Sequence, residues 1–199
     1  MRIFLPIILL ILFTVTLMPL TYADQQYMIE TYGARWMIFR IGVKIPLEPE
    51  WAHQAVLDAM NTWNQAQIWF RDTYRPDGKV YEFFPSDSGQ VTVGYAIPTK
   101  LYNKYNRPGL VGFAVPHIFG TTIRSAEAYA SITHMRGWDP RYFYIVFLHE
   151  LGHVLGLRHT DATYDLMCPG DTEGECLGDI INPWQHNLPS TLDLYAIHL

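Results

Sequence analysis

The pattern of apolar and polar positions along this chain predicts a succession of strands and helices. Residues 35–41 alternate and are rich in aromatic and β-branched side chains, which indicates a strand. Residues 50–72 repeat apolar side chains at helical spacing, which predicts a long helix with one face in the core. Further strands are predicted over residues 79–84, 91–97, 110–115 and 122–129.

A second long helix is predicted to begin at residue 139. Asp139 is a good N-cap, and Pro140 fits the first helical position because its missing N–H is not needed there. The segment 142–151 is strongly apolar, so this helix is expected to be buried. Strands followed by this helix and by a C-terminal helix indicate an α+β domain whose sheet packs on two long helices.

The N-terminal segment has a different character from the rest of the chain. Residues 3–20 form an uncharged apolar run after Arg2, and Thr21 and Ala23 offer small side chains before a cleavage point. This arrangement predicts a signal peptide over 1–23 and a single domain over 24–199. The run is also just long enough to span a bilayer, so an uncleaved membrane anchor is the alternative. We expect the domain to be secreted, or held on the outer face of a membrane by residues 3–20.

The charge of the chain excludes one class of partner. Its 199 residues carry 14 Lys and Arg against 19 Asp and Glu, a net charge of −5. Because an acidic chain repels phosphate backbones, nucleic acid is not expected as a partner. A membrane is a partner only if the N-terminal segment stays attached, and we expect a monomer.

The densest chemical motif is HELGHVLGLRH, over residues 149–159. His149 and His153 lie one helical turn apart, so both rings can reach the same metal ion. Gly156 can take a positive φ and end the helix, so that the chain turns back and presents His159. Three imidazoles with an open fourth position are the ligands of a catalytic zinc, and Glu150 can reach a water there. The alternative is a buried helix whose histidines bond to neighbouring groups.

These residues resemble the metzincin clan of zinc endopeptidases, and the matrixins in particular. Asp165–Pro169 reads DLMCP and is similar to the turn that lies under the zinc in that clan, with Met167 as its methionine. The pair Gly156-Leu157 and the closing segment 189–197 match the matrixin pattern too. Segment 110–116 resembles the edge strand that holds substrate. The resemblance is dense over 139–169 and looser over 33–199.

The resemblance implies both a fold and an activity. The fold is a twisted, mostly parallel sheet with an antiparallel edge strand, packed on two long helices, plus a C-terminal helix. The activity is hydrolysis of extended polypeptides by a zinc-bound water, with Glu150 as the base and Met167 as an apolar floor. The expected zinc ligands are His149, His153 and His159. The expected substrate contacts are Gly109, Leu110, Val111 and Gly112. Trp184 and His186 either line the specificity pocket, as the resemblance implies, or pack within a surface loop.

Departures from the matrixin pattern limit the expected metal content. Gly112 stands where many matrixins carry a histidine that binds a structural zinc, and Arg124 falls near the position of another such ligand. We therefore expect one catalytic zinc, without a structural zinc or calcium.

The two cysteines, Cys168 and Cys176, form an even count in a chain expected to be exported. This predicts a disulfide between them, with two free thiols as the alternative.

Two other functions fit the same motif. The first is a non-catalytic extracellular binding protein that keeps a zinc-containing metzincin shell. The second is a zinc hydrolase acting on a non-peptide amide. Glu150 argues against the first, because a binding-only zinc site needs no carboxylate there.

Overall fold

The computed structural model describes residues 29–105, 110–137, 139–162, 165–168 and 188–198. Its strands are β1 (Ile29–Thr31), β2 (Arg35–Trp36), β3 (Arg40–Lys44), β4 (Glu82–Pro85), β5 (Val91–Gly94), β6 (Gly112–Phe119), β7 (Thr122–Ala130) and β8 (Leu157–Thr160). Its helices are α1 (Glu50–Tyr74), α2 (Thr99–Tyr105), α3 (Pro140–Val154) and α4 (Thr191–Ile197). The N-terminal segment 1–23 and the predicted residues Gly109, Cys176, Trp184 and His186 lie outside the described residues.

Six strands form the mostly parallel sheet that was predicted. Its order is β2–β7–β5–β3–β4, with β6 added alongside β7. Every pair in it is parallel except β6 with β7, which is antiparallel. The prediction of a mostly parallel sheet with an antiparallel edge strand is therefore confirmed.

The two edge strands of this sheet, β4 and β6, differ in whether a helix bonds to their outer backbone groups. At β4, the side-chain amide of Asn64 in α1 accepts from the Phe83 N–H and donates to the Phe83 carbonyl. The side-chain amide of Gln67, also in α1, makes the same pair of hydrogen bonds with the backbone of Tyr81. These side chains occupy backbone groups that an unprotected edge would offer to another strand. β6 has β7 as its one partner strand in the described part of the chain. Within the described residues, the sheet is thus blocked at β4, and β6 has no further strand on its outer side.

Four strand predictions need correction. The strand expected over residues 79–84 covers Glu82–Pro85, and the strand expected over residues 91–97 ends at Gly94. Residues 35–41 were expected to form one strand but form two, because Arg35 and Trp36 pair with β7 whereas β3 pairs with β4 and β5. Residues 37–39 then cross to the start of β3. The edge strand runs over 112–119 rather than 110–115. Pro116 does not end it, because proline is tolerated at the edge of a sheet, where no ladder donor is needed on the outer side.

The core lies between the sheet and the two long helices. On α1, Trp63 is fully buried and donates from Nε1 to the Leu148 carbonyl of α3, 2.8 Å away. The hydroxyls of Thr62 and Tyr144 lie 2.9 Å apart across the same helix pair. Two neighbouring residues of α1 are therefore bonded to α3, and together with the bond from Trp36 in β2 they fix the position of the helix. None of the helices in the described part of the chain combines the length and apolar character needed to cross a bilayer.

A second, two-stranded sheet was not predicted. β1 pairs antiparallel with β8, with Ile29 opposite Thr160 and Thr31 opposite Leu157. Each strand has only three or four residues, too few for alternation to be recognised in a sequence.

Candidate active site

The helix α3 begins as the sequence predicts. The Asp139 carboxylate accepts from the backbone N–H of Arg141 and caps the helix, with Pro140 in the first turn. Nine and thirteen residues after Pro140, His149 and His153 lie on one face, with ring centroids 4.8 Å apart. The helix therefore supplies two imidazoles to one point, as the spacing requires.

Backbone carbonyls fix the orientation of both rings. His149 Nδ1 lies 2.7 Å from the Leu166 carbonyl, and His153 Nδ1 lies 2.8 Å from the Leu157 carbonyl. A carbonyl oxygen only accepts, so each Nδ1 carries the hydrogen. In a neutral ring the lone pair is then on Nε2, which is the atom left for a metal ion.

Gly156 makes the turn that brings in the third histidine. Its φ is +104°, and a Cβ at this position would lie 2.8 Å from the Ala34 carbonyl oxygen. Glycine is therefore required both by the backbone conformation and by the close approach of another segment. The chain leaves this turn as β8, which carries His159 back toward the helix.

The three histidines converge. One ring nitrogen from each lies within 4.8 Å of the others, and Nε2 of His153 and of His159 are 3.2 Å apart. Imidazole nitrogens bound to one zinc at about 2.0–2.1 Å are separated by distances of this order. His153 is buried, His149 is half-buried and His159 is exposed. The cluster thus opens to solvent on one side, as a site that admits water and substrate must.

The Glu150 carboxyl group lies between α3 and the edge strand. A Cβ at Gly112 would collide with Glu150 Oε1 and would lie 2.5 Å from Val146 Cγ1. The first residue of β6 therefore has to be glycine for the carboxyl group to occupy its place. Glu150 Oε2 is buried and has no hydrogen-bond partner among the described residues. A buried oxygen in this state needs a cation, a water or a ligand.

The surroundings shift the pKa values of two of these groups, and the shift of His153 is in the direction that suits metal binding. Burial raises the pKa of the Glu150 carboxyl well above its usual range. Burial, followed by the charges of His149 and His159, holds the pKa of His153 well below its usual range. A histidine must be neutral to bind a metal, so the ring is already in the required form.

Met167 lies beneath the cluster in a tight turn. The Cys168 N–H donates to the Asp165 carbonyl, which closes the turn, and the Thr160 N–H donates to the Met167 carbonyl, which joins it to β8. Met167 is fully buried, and its Sδ occupies the space that a side chain at Gly152 would fill. The methionine thus packs directly against α3 between the two helical ligands.

The comparison with known families matches this geometry. The matrixin family model, that of the M10 peptidases, matches residues 36–174 and so includes the sheet, α3 and all three histidines. The chain belongs to the matrixin family. The predicted family and fold are therefore confirmed. Membership and the histidine cluster together indicate a zinc metalloprotease.

Other comparisons add little about this matrixin. No curated protein matches the chain. A solved structure, described as the GM1 bound form of the ECX AB5 holotoxin, shares 12% sequence identity with it. The match covers 80% of this chain and 79% of that chain, with a TM-score of 0.48. Similarity at this level carries no information about function.

A group of buried acids under this matrixin's methionine turn was missed by sequence reasoning. Asp165 Oδ1 accepts from the Met167 N–H, and Asp165 Oδ2 accepts from the Ser190 hydroxyl 2.6 Å away. Ser190 also caps α4 in a reciprocal pair of hydrogen bonds with Asp193. Burial, and then the charge of Asp165, raise the pKa of Asp193 well above its usual range. The spacing of Ser190 and Asp193 is a readable capping pattern, but their contact with Asp165 is not.

The remaining predicted residues of this matrixin have mixed outcomes. Gly112 lies against Glu150, whereas Leu110 and Val111 precede the edge strand and are half-buried. The Val111 carbonyl accepts from the Ser131 N–H, which fixes the entry to β6. Cys168 is buried, and no free cysteine occurs among the described residues. Its bridge to Cys176 stays a prediction.

Proposed function

We propose that this matrixin is a secreted or surface-tethered zinc endopeptidase that cleaves extended polypeptides with Glu150 as the proton-transfer group. The observation that carries the proposal is the position of this carboxyl group. It lies one residue from His149 and directly against the first residue of the edge strand. A group in that place can act on a peptide bond of a substrate that runs along β6 past the histidine cluster.

The histidine cluster fits one zinc ion. His149, His153 and His159 would hold it through Nε2, because Nδ1 of the two helical ligands already faces a carbonyl. A zinc ion in such a site polarises a carbonyl group and lowers the pKa of water toward about 7. Three neutral donors leave the ion with its full positive charge, which favours this chemistry over a purely structural role.

Glu150 would move the proton. As a water oxygen attacks the carbonyl carbon, Glu150 accepts one of its protons and then delivers it to the amine nitrogen as the C–N bond breaks. The surrounding helices and strand keep bulk water from the carboxyl group. Burial raises the pKa of Glu150, and a cation at the histidine cluster would oppose this effect. The Glu150 carboxyl group would then stay ionised before the water attacks.

The edge strand β6 would position the peptide. Its outer side has no further strand beside it among the described residues, whereas Asn64 and Gln67 occupy the opposite edge of the sheet at β4. An extended peptide can pair with such a strand through main-chain hydrogen bonds, so its sequence matters less than its conformation. Selectivity would then come from side-chain pockets, and Trp184 and His186 are proposed to line one of them.

The proposed location and covalent structure follow from the sequence. Residues 1–23 would direct the chain out of the cytoplasm and be removed, or residues 3–20 would anchor it. Export would expose the thiols to an oxidising environment, where Cys168 and Cys176 would form a disulfide. The domain would be residues 24–199, a monomer with one zinc and neither structural zinc nor calcium.

The test is cleavage of a denatured-protein substrate by the zinc-loaded chain. We expect cleavage that a zinc chelator stops and that added zinc restores. Glu150→Ala should abolish turnover while zinc content stays at one ion per chain. Glu50→Ala, which changes an exposed glutamate at the start of α1, is the matched control and should retain activity. A folded, zinc-loaded wild type that cleaves nothing would favour the non-catalytic binding protein. Turnover by Glu150→Ala would exclude the assigned base.

A further inference from the structure

The strand β1 lies outside the part of the chain that matches the matrixin model, yet it contacts the metal centre. The family match begins at residue 36, whereas β1 covers Ile29–Thr31 and is followed by Tyr32. Its partner β8 carries His159. The residues on both sides of this histidine, Leu157 and Thr160, are the ones that β1 pairs with. The strand that carries His159 is thus paired with residues that lie outside the region matched by the family model.

Backbone contacts extend this pairing to the turn before β8. The Tyr32 N–H donates to the Gly156 carbonyl, 2.9 Å away. Beside it, Arg158 and Glu30 form an exposed ion pair across the two strands. Contacts with β1 and Tyr32 are therefore distributed along the segment from the Gly156 turn through β8. This segment, whose strand has four residues, connects α3 to the methionine turn.

Tyr32 also reaches the second helical ligand. Its ring centroid lies 6.4 Å from that of His153, with the planes tilted by 59°. The carbonyl that orients His153 belongs to Leu157, and Leu157 is the residue opposite Thr31 in the small sheet. Displacing β1 would therefore disturb His153 through its carbonyl partner as well as His159 through its strand.

We infer that β1 and Tyr32 are positioning elements of the zinc site, so that displacement or proteolytic loss of residues 29–32 lowers the affinity for zinc. The inference rests on the proposed function only in taking zinc as the ion that the histidines bind. The physical reason is preorganisation. Without β1, the segment 156–160 keeps the hydrogen bond from Thr160 to Met167 but loses its pairing with β1, so metal binding must order more of it, and that entropy is subtracted from the binding free energy. Processing of the N-terminal segment would then regulate the site.

The test is a substitution series at position 32 of the full chain. Tyr32→Phe keeps the ring and the N–H, Tyr32→Ala removes the ring, and Tyr32→Pro removes both. Tyr74→Ala is the matched control, an exposed tyrosine at the end of α1. The readouts are the zinc dissociation constant by competition with a chromophoric chelator, and the visible spectrum of the Co²⁺ form.

We expect zinc affinity to fall about three-fold or more in Tyr32→Ala and tenfold or more in Tyr32→Pro. Tyr32→Phe and Tyr74→Ala should stay within twofold of wild type. The Co²⁺ spectrum of Tyr32→Pro should lose intensity in its tetrahedral bands. Wild-type affinity in a folded Tyr32→Pro protein would overturn the inference while leaving the proposed function standing. A wild type that binds no zinc would overturn both.

A second set keeps the inference testable if Tyr32→Pro does not fold. Glu30→Arg and Arg158→Glu each place like charges across β1 and β8, and the double variant restores the pair in reverse. Each single change should weaken zinc binding, and the double variant should recover it. No recovery, or no effect of either single change, would contradict a role for β1.

Discussion

Replacing Gly112 by alanine should separate catalysis from metal binding. The new Cβ would overlap Glu150 Oε1 and lie 2.5 Å from Val146 Cγ1, so two side chains of α3 resist it at once. Because α3 is held by hydrogen bonds from Trp36 and Trp63, the helix cannot retreat as a unit. The Glu150 carboxyl group must then move by roughly 1 Å to reach ordinary contact, and a displacement of that size costs about 10²-fold in rate.

The loss corresponds to about 2.7 kcal/mol of transition-state stabilisation. It should appear in kcat and in kcat/KM on a peptide substrate, while zinc affinity stays within twofold because no histidine is touched. Gly94→Ala is the matched control, since its Cβ would meet the Tyr129 ring at 2.6 Å in another strand. Each of the two variants should lose about 1–3 kcal/mol of stability, but Gly94→Ala should keep the kcat of the wild type. A zinc-loaded Gly112→Ala enzyme with kcat within threefold of wild type would refute the assigned position of Glu150.

Three further predictions concern the region beneath the histidines. Gly152→Ala would displace Met167 and should lower the free energy of unfolding in denaturant by about 1–3 kcal/mol; an unchanged value would show that the methionine is free to move. The pKa of Asp193 is raised in the folded protein, so its protonated carboxyl group adds to the free energy of unfolding. That contribution is complete below the ordinary pKa of 3.8 and is lost as the pH rises. Asp193→Asn should therefore raise stability at pH 7 by roughly 1–3 kcal/mol and flatten its decline above pH 4, and a lower thermal midpoint at pH 7 would contradict this. Alkylation of the unfolded chain without reductant should leave its mass unchanged if Cys168 and Cys176 are bridged, whereas two added alkyl groups would refute the bridge.

Local sequence patterns were sufficient for α3 and its ligands. Asp139 and Pro140 mark its start, and the spacing of His149 and His153 follows from helix geometry alone. Gly156 was predicted to turn the chain, and its φ is positive in the structure. These features depend only on residues within about ten positions of each other, where sequence carries most of the information.

Contacts between distant segments were not predictable in the same way. β1 pairs with a strand 128 residues further along, as the Glu30–Arg158 contact shows, and neither strand has a recognisable pattern. The contact of Asp165 with Ser190 likewise depends on tertiary packing. Trp36 was expected within one continuous strand, because alternation cannot reveal that its indole reaches across to α3. Gly112 was singled out as a substrate contact, but its closeness to Glu150 could be seen only in three dimensions.

The separation between β1 and β8 also has a consequence for biosynthesis. A polypeptide is made from its N-terminus, so β1 leaves the ribosome long before the strand that it pairs with. The turn beneath the histidines acquires its Ser190 and Asp193 partners later still. Contacts this far apart in sequence form slowly, after the local helices. The contacts that hold the histidine cluster would therefore be completed only late in translation, after the C-terminal segment has been made.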